Sequence, residues 1–483
     1  MSTARTPFKR RITAGIGIAA LATSALFGSM LPANAADVGN INADTPTSLT
    51  IHKHAQPAGP GAEHNGTELE TAPDSAGLVG VTFKIEKVTN IDLASSEGWA
   101  ATVGLTPEGV KDSLEFVDEA PTGAGGILTF DGLQQAVYLV TETGAGDNNV
   151  AFAAKPFLVT LPLPNKEDNT WIYDVHVYPK NSLASITKDV NDSAATSLGD
   201  TVNWKIAAKV PNKSADAPLT KFEITDQLDP RLTFQNATAT LASGTAIVEP
   251  TDYTVDASSG TVKVVFTAEG LAKFATDETV NVALATTVTT LTGDSGIITN
   301  NATVFTNENS FTSDTAQTNW GKVIIRKTDS VDQTKNLKGA EFQIYATEAD
   351  AKAGNNALSV TSNGVKSAVA TSGENGIVTI DGLRATVNGT DEAITYWLVE
   401  TKAPTGYTIS TDASKTKPQS FTVDSAIDTT VDITIKNAQT PPFMLPLTGG
   451  SGTAMFMMVG LGILAVAGGV AMRKRSTRRT SQA

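Results

Sequence analysis

Thr261-Val262-Lys263-Val264-Val265-Phe266, Val280-Asn281-Val282-Ala283-Leu284 and Val431-Asp432-Ile433-Thr434-Ile435 share one reading. Apolar side chains recur with a period of two, so each run is a strand with one face buried and one wet. Short runs of this kind recur between Gly, Asn, Asp and Pro, and long amphipathic helical patterns are scarce. Many short strands separated by turn signals predict an all-β chain built of β-sandwiches.

Working outward from these strands, a repeat emerges. Leu49-Thr50-Ile51-His52-Lys53, Leu183-Ala184-Ser185-Ile186-Thr187-Lys188 and Val323-Ile324-Ile325-Arg326-Lys327 each open a unit, with a Lys two residues after an Ile. Residues two apart share a strand face, so each Lys points the way its Ile does. Each unit closes on a strand carrying Asn: Val175 to Asn181, Ile298 to Val304, and Ile433 to Asn437. The units are read as 36–181, 182–317 and 318–437. Residues 438–444, with Pro441 and Pro442, read as an extended linker.

An inward Lys is costly to bury while charged. Burial lowers its pKa and favours the neutral amine, a nucleophile. An Asn carboxamide beside it is open to attack, releasing ammonia and leaving an isopeptide bond, if a buried protonated acid shuttles the proton. Asp226 shares a face with Phe222, Ile224 and Leu228; Glu400 shares one with Leu398; Glu142 ends the run Tyr138-Leu139-Val140-Thr141-Glu142. Asn300 is preferred to Asn301 because it shares a face with Ile298, Ala302 and Val304. Lys53 is followed by a polar stretch, so a bond in the first unit is left open.

Tyr396 to Tyr407 closely resembles the E-box of Gram-positive pilins, and Tyr138 to Thr143 is similar to it. The last two units resemble the immunoglobulin-like domains of collagen-binding surface proteins. That resemblance implies three tandem Ig-like sandwiches with crosslinks Lys188–Asn300, assisted by Asp226, and Lys327–Asn437, assisted by Glu400. Lys53–Asn181 with Glu142 is the corresponding set in the first unit. The linked pairs are 112 and 110 positions apart. By analogy with a disulfide closing a loop of ~100 residues, each bond contributes roughly 4–5 kcal/mol through the unfolded state.

Trp171-Ile172-Tyr173-Asp174-Val175-His176-Val177-Tyr178-Pro179-Lys180 resembles the pilin motif W-x-x-x-V-x-V-Y-P-K. In that family the motif Lys attacks a thioester held by a pilin-specific sortase. Pro179 lacks a donor and ends the strand, which is expected to bring Lys180 out at the domain edge.

Both ends of the chain fit export. Arg5, Lys9, Arg10 and Arg11 precede an apolar stretch and Ala33-Asn34-Ala35, so 1–35 reads as a signal peptide. Leu445-Pro446-Leu447-Thr448-Gly449 precedes an apolar run from Ala454 to Met472 and then Arg473-Lys474-Arg475. That run is long enough to span a bilayer, with a basic tail to hold the inner side. The segment 445–483 resembles a sortase sorting signal, implying cleavage after Thr448 and transfer of its carbonyl to an amine. A housekeeping sortase and peptidoglycan are then implied partners, beside identical subunits and tip and base pilins.

The two ends hold nine of the 36 Lys/Arg and none of the 50 Asp/Glu, so residues 36–448 carry a net charge of −23. Such acidity argues against a nucleic-acid partner. There is no Cys, which excludes catalytic thiols, disulfides and Cys-based metal sites. His52 and His54 share a strand face as a metal pair would, but nothing nearby in sequence supports them. They are read as solvated, and no metal or cofactor is assigned. The turn Asp329-Ser330-Val331-Asp332 lacks a Ca²⁺-loop signature. No catalytic constellation is present, so no enzyme activity is expected beyond the single Lys–Asn self-reaction. Together the motifs resemble those of major, shaft-forming pilins. The competing reading is a monomeric wall-anchored adhesin, which would have no use for Lys180.

Overall fold

In Thr261–Phe266 the side chains of Val262, Val264 and Phe266 are buried while Lys263 and Val265 face outward. Thr201–Lys209 and Thr279–Val288 alternate in the same way. The computed structural model describes residues 41–57, 64–166, 169–213, 218–275, 277–292, 295–409, 418–426 and 431–441, together with 458, 459 and 461. The signal peptide, the recognition peptide Leu445–Gly449 and nearly all of the apolar run lie outside the described residues. Among the described residues, no helix is long and apolar enough to cross a membrane.

The regular elements of the described chain are mostly strands, with a few short helices, in three successive units. In the first, a sheet ordered Asp174–Val177, Thr47–His52, Ile127–Leu133 faces one ordered Leu114–Pro121, Thr82–Val88, Ala136–Gly144, Phe157–Leu161. Leu49, Ile51, Phe83, Ile85, Tyr138 and Val175 fill the space between them. The middle unit packs a four-stranded sheet, edged by Ser185–Asn191, on a five-stranded sheet centred on Phe222–Gln227. Trp204, Phe222, Val264 and Val282 lie in its core. In the third, Ile377–Arg384, Ala316–Asp329 and Val431–Gln439 are neighbours in one sheet, and Glu341–Tyr345 and Tyr396–Lys402 pair in the other.

Strand limits refine the sequence reading at several points. The divisions read at 181/182 and 317/318 fall inside strands, Lys180–Leu183 and Ala316–Asp329. The segment read as one closing strand, Ile298 to Val304, is two. Ile297–Asn300 pairs with the start of Ala316–Asp329, while Thr303–Thr306 joins the five-stranded sheet. The linker read from Ala438 also begins late, because Ala438 and Gln439 pair with Thr408 and Tyr407. In each case a long-range partner supplies hydrogen bonds that local composition does not announce.

The strand Ala316–Asp329 runs from the middle unit into the third, and side chains reinforce that junction. Arg384 donates to the buried Asp192 carboxylate at 2.7 Å and to the Ala195 carbonyl at 2.8 Å. Thr318 donates to the other Asp192 oxygen at 2.6 Å. This charge pair is buried but fully hydrogen-bonded, the condition under which such a pair is tolerated.

Candidate functional site

Lys327 sits on the inward face of Ala316–Asp329, its side chain wholly buried. The neighbouring strand Val431–Gln439 runs parallel, pairing Lys327 with Ile435 and Asp329 with Asn437. A Lys side chain reaches two residues along, so Nζ donates to the Ile435 carbonyl at 3.0 Å and to Asn437 Oδ1. From the facing sheet, Glu400 Oε1 accepts from Asn437 Nδ2 at 2.9 Å and lies 3.7 Å from Lys327 Nζ.

The first unit repeats this arrangement. Asn181 pairs with Ala55 on parallel strands, two residues beyond Lys53. Lys53 Nζ donates to Asn181 Oδ1 and lies 3.0 Å from Glu142 Oε2, while Asn181 Nδ2 donates to Glu142 Oε1 at 2.5 Å. The local backbone matches too. Lys53 N–H donates to Gly126 and Lys327 N–H to Gly376, both at 2.8 Å. These glycines have φ of 76° and 66°, and an added Cβ would stand 2.3 Å and 2.7 Å from the respective Lys carbonyl oxygens. Only Gly fits there.

In the middle unit Lys188 lies on an edge strand that, among the described residues, is bonded only to Thr201–Lys209. Its Nζ is paired with Asp226 from the opposite sheet and donates to the Asn301 carbonyl at 3.3 Å. Asn300 is buried along with Ile298, Ala302 and Val304, whereas Asn301 is exposed. Among the described residues the Asn300 carboxamide and Asp226 Oδ1 make no hydrogen bond of ordinary geometry, although Asn300 lies close enough to Asp226 to pull its carboxyl down.

The three lysines share one electrostatic setting. Burial lowers the ammonium of Lys53, Lys188 and Lys327 to about 8 in each case, with Glu142, Asp226 and Glu400 opposing the shift. Burial also raises the carboxyls of Asp226 and Glu400, against the pull of the lysines. In the middle and third units burial therefore moves amine and acid toward each other in proton affinity. A neutral amine beside a carboxamide and a protonated acid is the constellation that amide exchange needs.

Lys180 is half-buried. Pro179 does end the run Asp174–Val177, but the chain does not then leave the fold. Lys180 instead begins a strand that pairs with His54 and Ala55. The histidines also depart from the expected solvation. His52, His54 and His176 are buried. His52 faces His176 at 2.9 Å rather than pairing with His54, which bonds the Ser75 carbonyl at 2.8 Å. Burial lowers the His52 imidazole below its usual range. Asp329 is occupied as a turn cap, accepting from Val331 and Asp332 N–H at 2.8 and 3.3 Å and from Tyr407 Oη at 3.0 Å. Sequence reading missed Glu68, His64 and Tyr178 as neighbours of this histidine group, and Asp192 with Arg384; strand parity alone carries no signal for them.

The chain as a whole is similar to known proteins. The model of the Gram-positive pilin subunit D1, N-terminal domain, covers residues 44–182, the Sgo0707 N2 domain 184–319 and the prealbumin-like fold domain 321–439. The type 2 fimbrial subunit of Actinomyces naeslundii is 32% identical, over 97% of this chain and 97% of its own. The chain belongs to the Gram-positive fimbrial subunits. The type 1 fimbrial subunit of Actinomyces viscosus is 31% identical, over 96% of this chain and 98% of its own. The full-length major pilin SpaD of Corynebacterium diphtheriae superposes with a TM-score of 0.69 at 29% identity, covering 84% of this chain and 100% of that one. This pilin is a structural subunit of a cell-surface fimbria, in which identical copies polymerise.

Proposed function

We propose that a pilin-specific sortase polymerises this subunit by joining the Thr448 carbonyl of one copy to Lys180 Nζ of the next, and that Lys–Asn isopeptide bonds staple each unit. In the staple, neutral Lys Nζ attacks Cγ of the Asn. The acid protonates the carbonyl oxygen, then as carboxylate takes a proton from the attacking nitrogen and delivers it to the carboxamide nitrogen; the C–N bond breaks, ammonia leaves, and the oxygen's proton returns to the acid. The pairs are Lys53–Asn181 with Glu142, Lys188–Asn300 with Asp226, and Lys327–Asn437 with Glu400. Polymer ends are then transferred to peptidoglycan by a housekeeping sortase, with tip and base pilins completing the fibre.

One observation carries this reading. Each unit holds a wholly buried Lys beside a buried carboxyl, with a buried Asn at hand. In the middle unit the poorly bonded Asn300 carboxamide favours reaction, because leaving a buried polar group short of partners costs roughly 1–3 kcal/mol. A bond between opening and closing segments also lets tension pass through covalent links and bypass the sheets.

The subunit released from cells should weigh less than its calculated mass by three ammonia losses, about 51 Da by this chemistry. Full calculated mass would eliminate all three staples. Lys180→Ala should abolish the high-mass ladder of wall extracts on denaturing gels while monomer persists. An unchanged ladder would mean that a different Lys accepts Thr448.

A further inference from the structure

All four histidines of the chain lie in one group: His52, His54 and His64 meet the Tyr178 ring, and His176 joins through His52, at the end of the segment that leads into Lys180. The staples and the polymer linkage use none of them. Within the group, one imidazole nitrogen each of His52 and His176 and a carboxylate oxygen of Glu68 all lie within 4.8 Å of one another. We propose that His52, His176 and Glu68 form a site for a divalent transition-metal ion, Zn²⁺ first among them, leaving a fourth position for water.

The geometry is close to what the ion needs. His52 Nε2 and His176 Nδ1 stand 2.9 Å apart. Two ligands on tetrahedral Zn²⁺ with ~2.0–2.1 Å bonds stand about 3.3 Å apart, so the rings need only part by a few tenths of an ångström. His176 is oriented from behind, its Nε2 lying 3.4 Å from Asp174 Oδ2. A carboxylate behind a ligating imidazole holds the tautomer whose other nitrogen carries the lone pair. Asp174 is itself held by Ser48 Oγ. Glu68 is exposed, and its segment is pinned to the motif by the backbone. Gly66 O accepts from His176 N–H at 2.8 Å, and Leu69 N–H donates to Tyr178 Oη at 2.9 Å. Two imidazoles and one carboxylate suit Zn²⁺ and disfavour Ca²⁺ or Mg²⁺, which take oxygen donors.

An ion here would tie three separate pieces together. They are the opening strand one residue before Lys53, the motif strand four residues before Lys180, and the segment that carries Glu68. Metal occupancy would therefore stiffen the region from which Lys180 is presented.

The test uses the full chain without an affinity tag, held in mild detergent, stripped with a chelator and titrated with ZnCl₂ by calorimetry at neutral pH. One equivalent should bind, CaCl₂ and MgCl₂ should not compete, and Zn²⁺ should raise the melting temperature. Glu68→Ala, a surface change, should weaken binding at least about tenfold, and Asp174→Asn about 10–100-fold. His176→Gln should abolish it. His54→Gln, which alters the histidine count outside the ligand set, should leave it unchanged. Absence of saturable Zn²⁺ binding would overturn the proposal. So would affinity unchanged in both Glu68→Ala and His176→Gln. Should His176→Gln fail to fold, Glu68→Ala and Asp174→Asn decide alone.

Discussion

The middle and third units bring a Lys, an Asn and an acid together by different routes. In the third, Lys327 and Asn437 lie on parallel neighbouring strands offset by two residues, so strand register alone makes them touch. In the middle unit the Lys188 strand has one described neighbour, Asp226 comes from the opposite sheet, and Asn300 arrives on a strand paired with the inter-unit strand. Accordingly Asn437 is hydrogen-bonded to both Lys327 and Glu400, whereas among the described residues the Asn300 carboxamide makes no hydrogen bond of ordinary geometry. The contrast teaches that the common element is a position in the core, where burial shifts amine and acid toward each other. Adjacency of the strands is one way to reach it.

The largest effect should come from Glu400→Ala. Without a proton donor the Lys327–Asn437 bond should not form, and the third unit should lose roughly 4–5 kcal/mol of loop restraint. The Lys and Asn left without their acid should cost roughly 1–3 kcal/mol more. Intact mass would show one ammonia fewer lost, and protease sensitivity would rise in residues 318–437. Recovery of the full loss would dismiss Glu400 as the acid.

A matched pair of substitutions sharpens the comparison. Asn437→Ala and Asn300→Ala should each remove one bond, but Asn300→Ala should destabilise less, by roughly 1–3 kcal/mol. The reason is that Asn437 also satisfies Glu400, while Lys188 keeps Asp226 and the Asn301 carbonyl without Asn300. Calorimetric melting of the two variants measures the gap, and equal losses would refute the distinction. Exposed Asn301→Ala should alter neither mass loss nor melting.

The smallest effect concerns pH. The reaction needs a single proton shared by the pair, leaving a neutral amine and a protonated acid. Below the raised pKa of Glu400 both groups are protonated and the amine cannot attack. Above about 8 the remaining proton leaves and the acid cannot donate. Crosslinking during cell-free synthesis, followed by intact mass after acid quenching, should therefore slow above about pH 8. A rate that keeps rising well above that pH would mean that the free amine alone limits the reaction.

Strand identity and facing were legible in the chain itself. A period of two states which side chains are buried together, and it put Lys188, Asp226 and Asn300 on inward faces without any knowledge of their neighbours. The pilin motif was equally readable, because its residues are consecutive. What the tertiary structure decided was partnership. It broke Ile298 to Val304 into two strands in different sheets, ran Ala316–Asp329 through a unit boundary, and clamped Arg384 onto Asp192. It also buried histidines that look solvated in a polar stretch. Periodicity is a property of one strand, set by backbone geometry. The choice of neighbour depends on hydrogen bonds and packing between residues far apart in the chain, which no local pattern encodes.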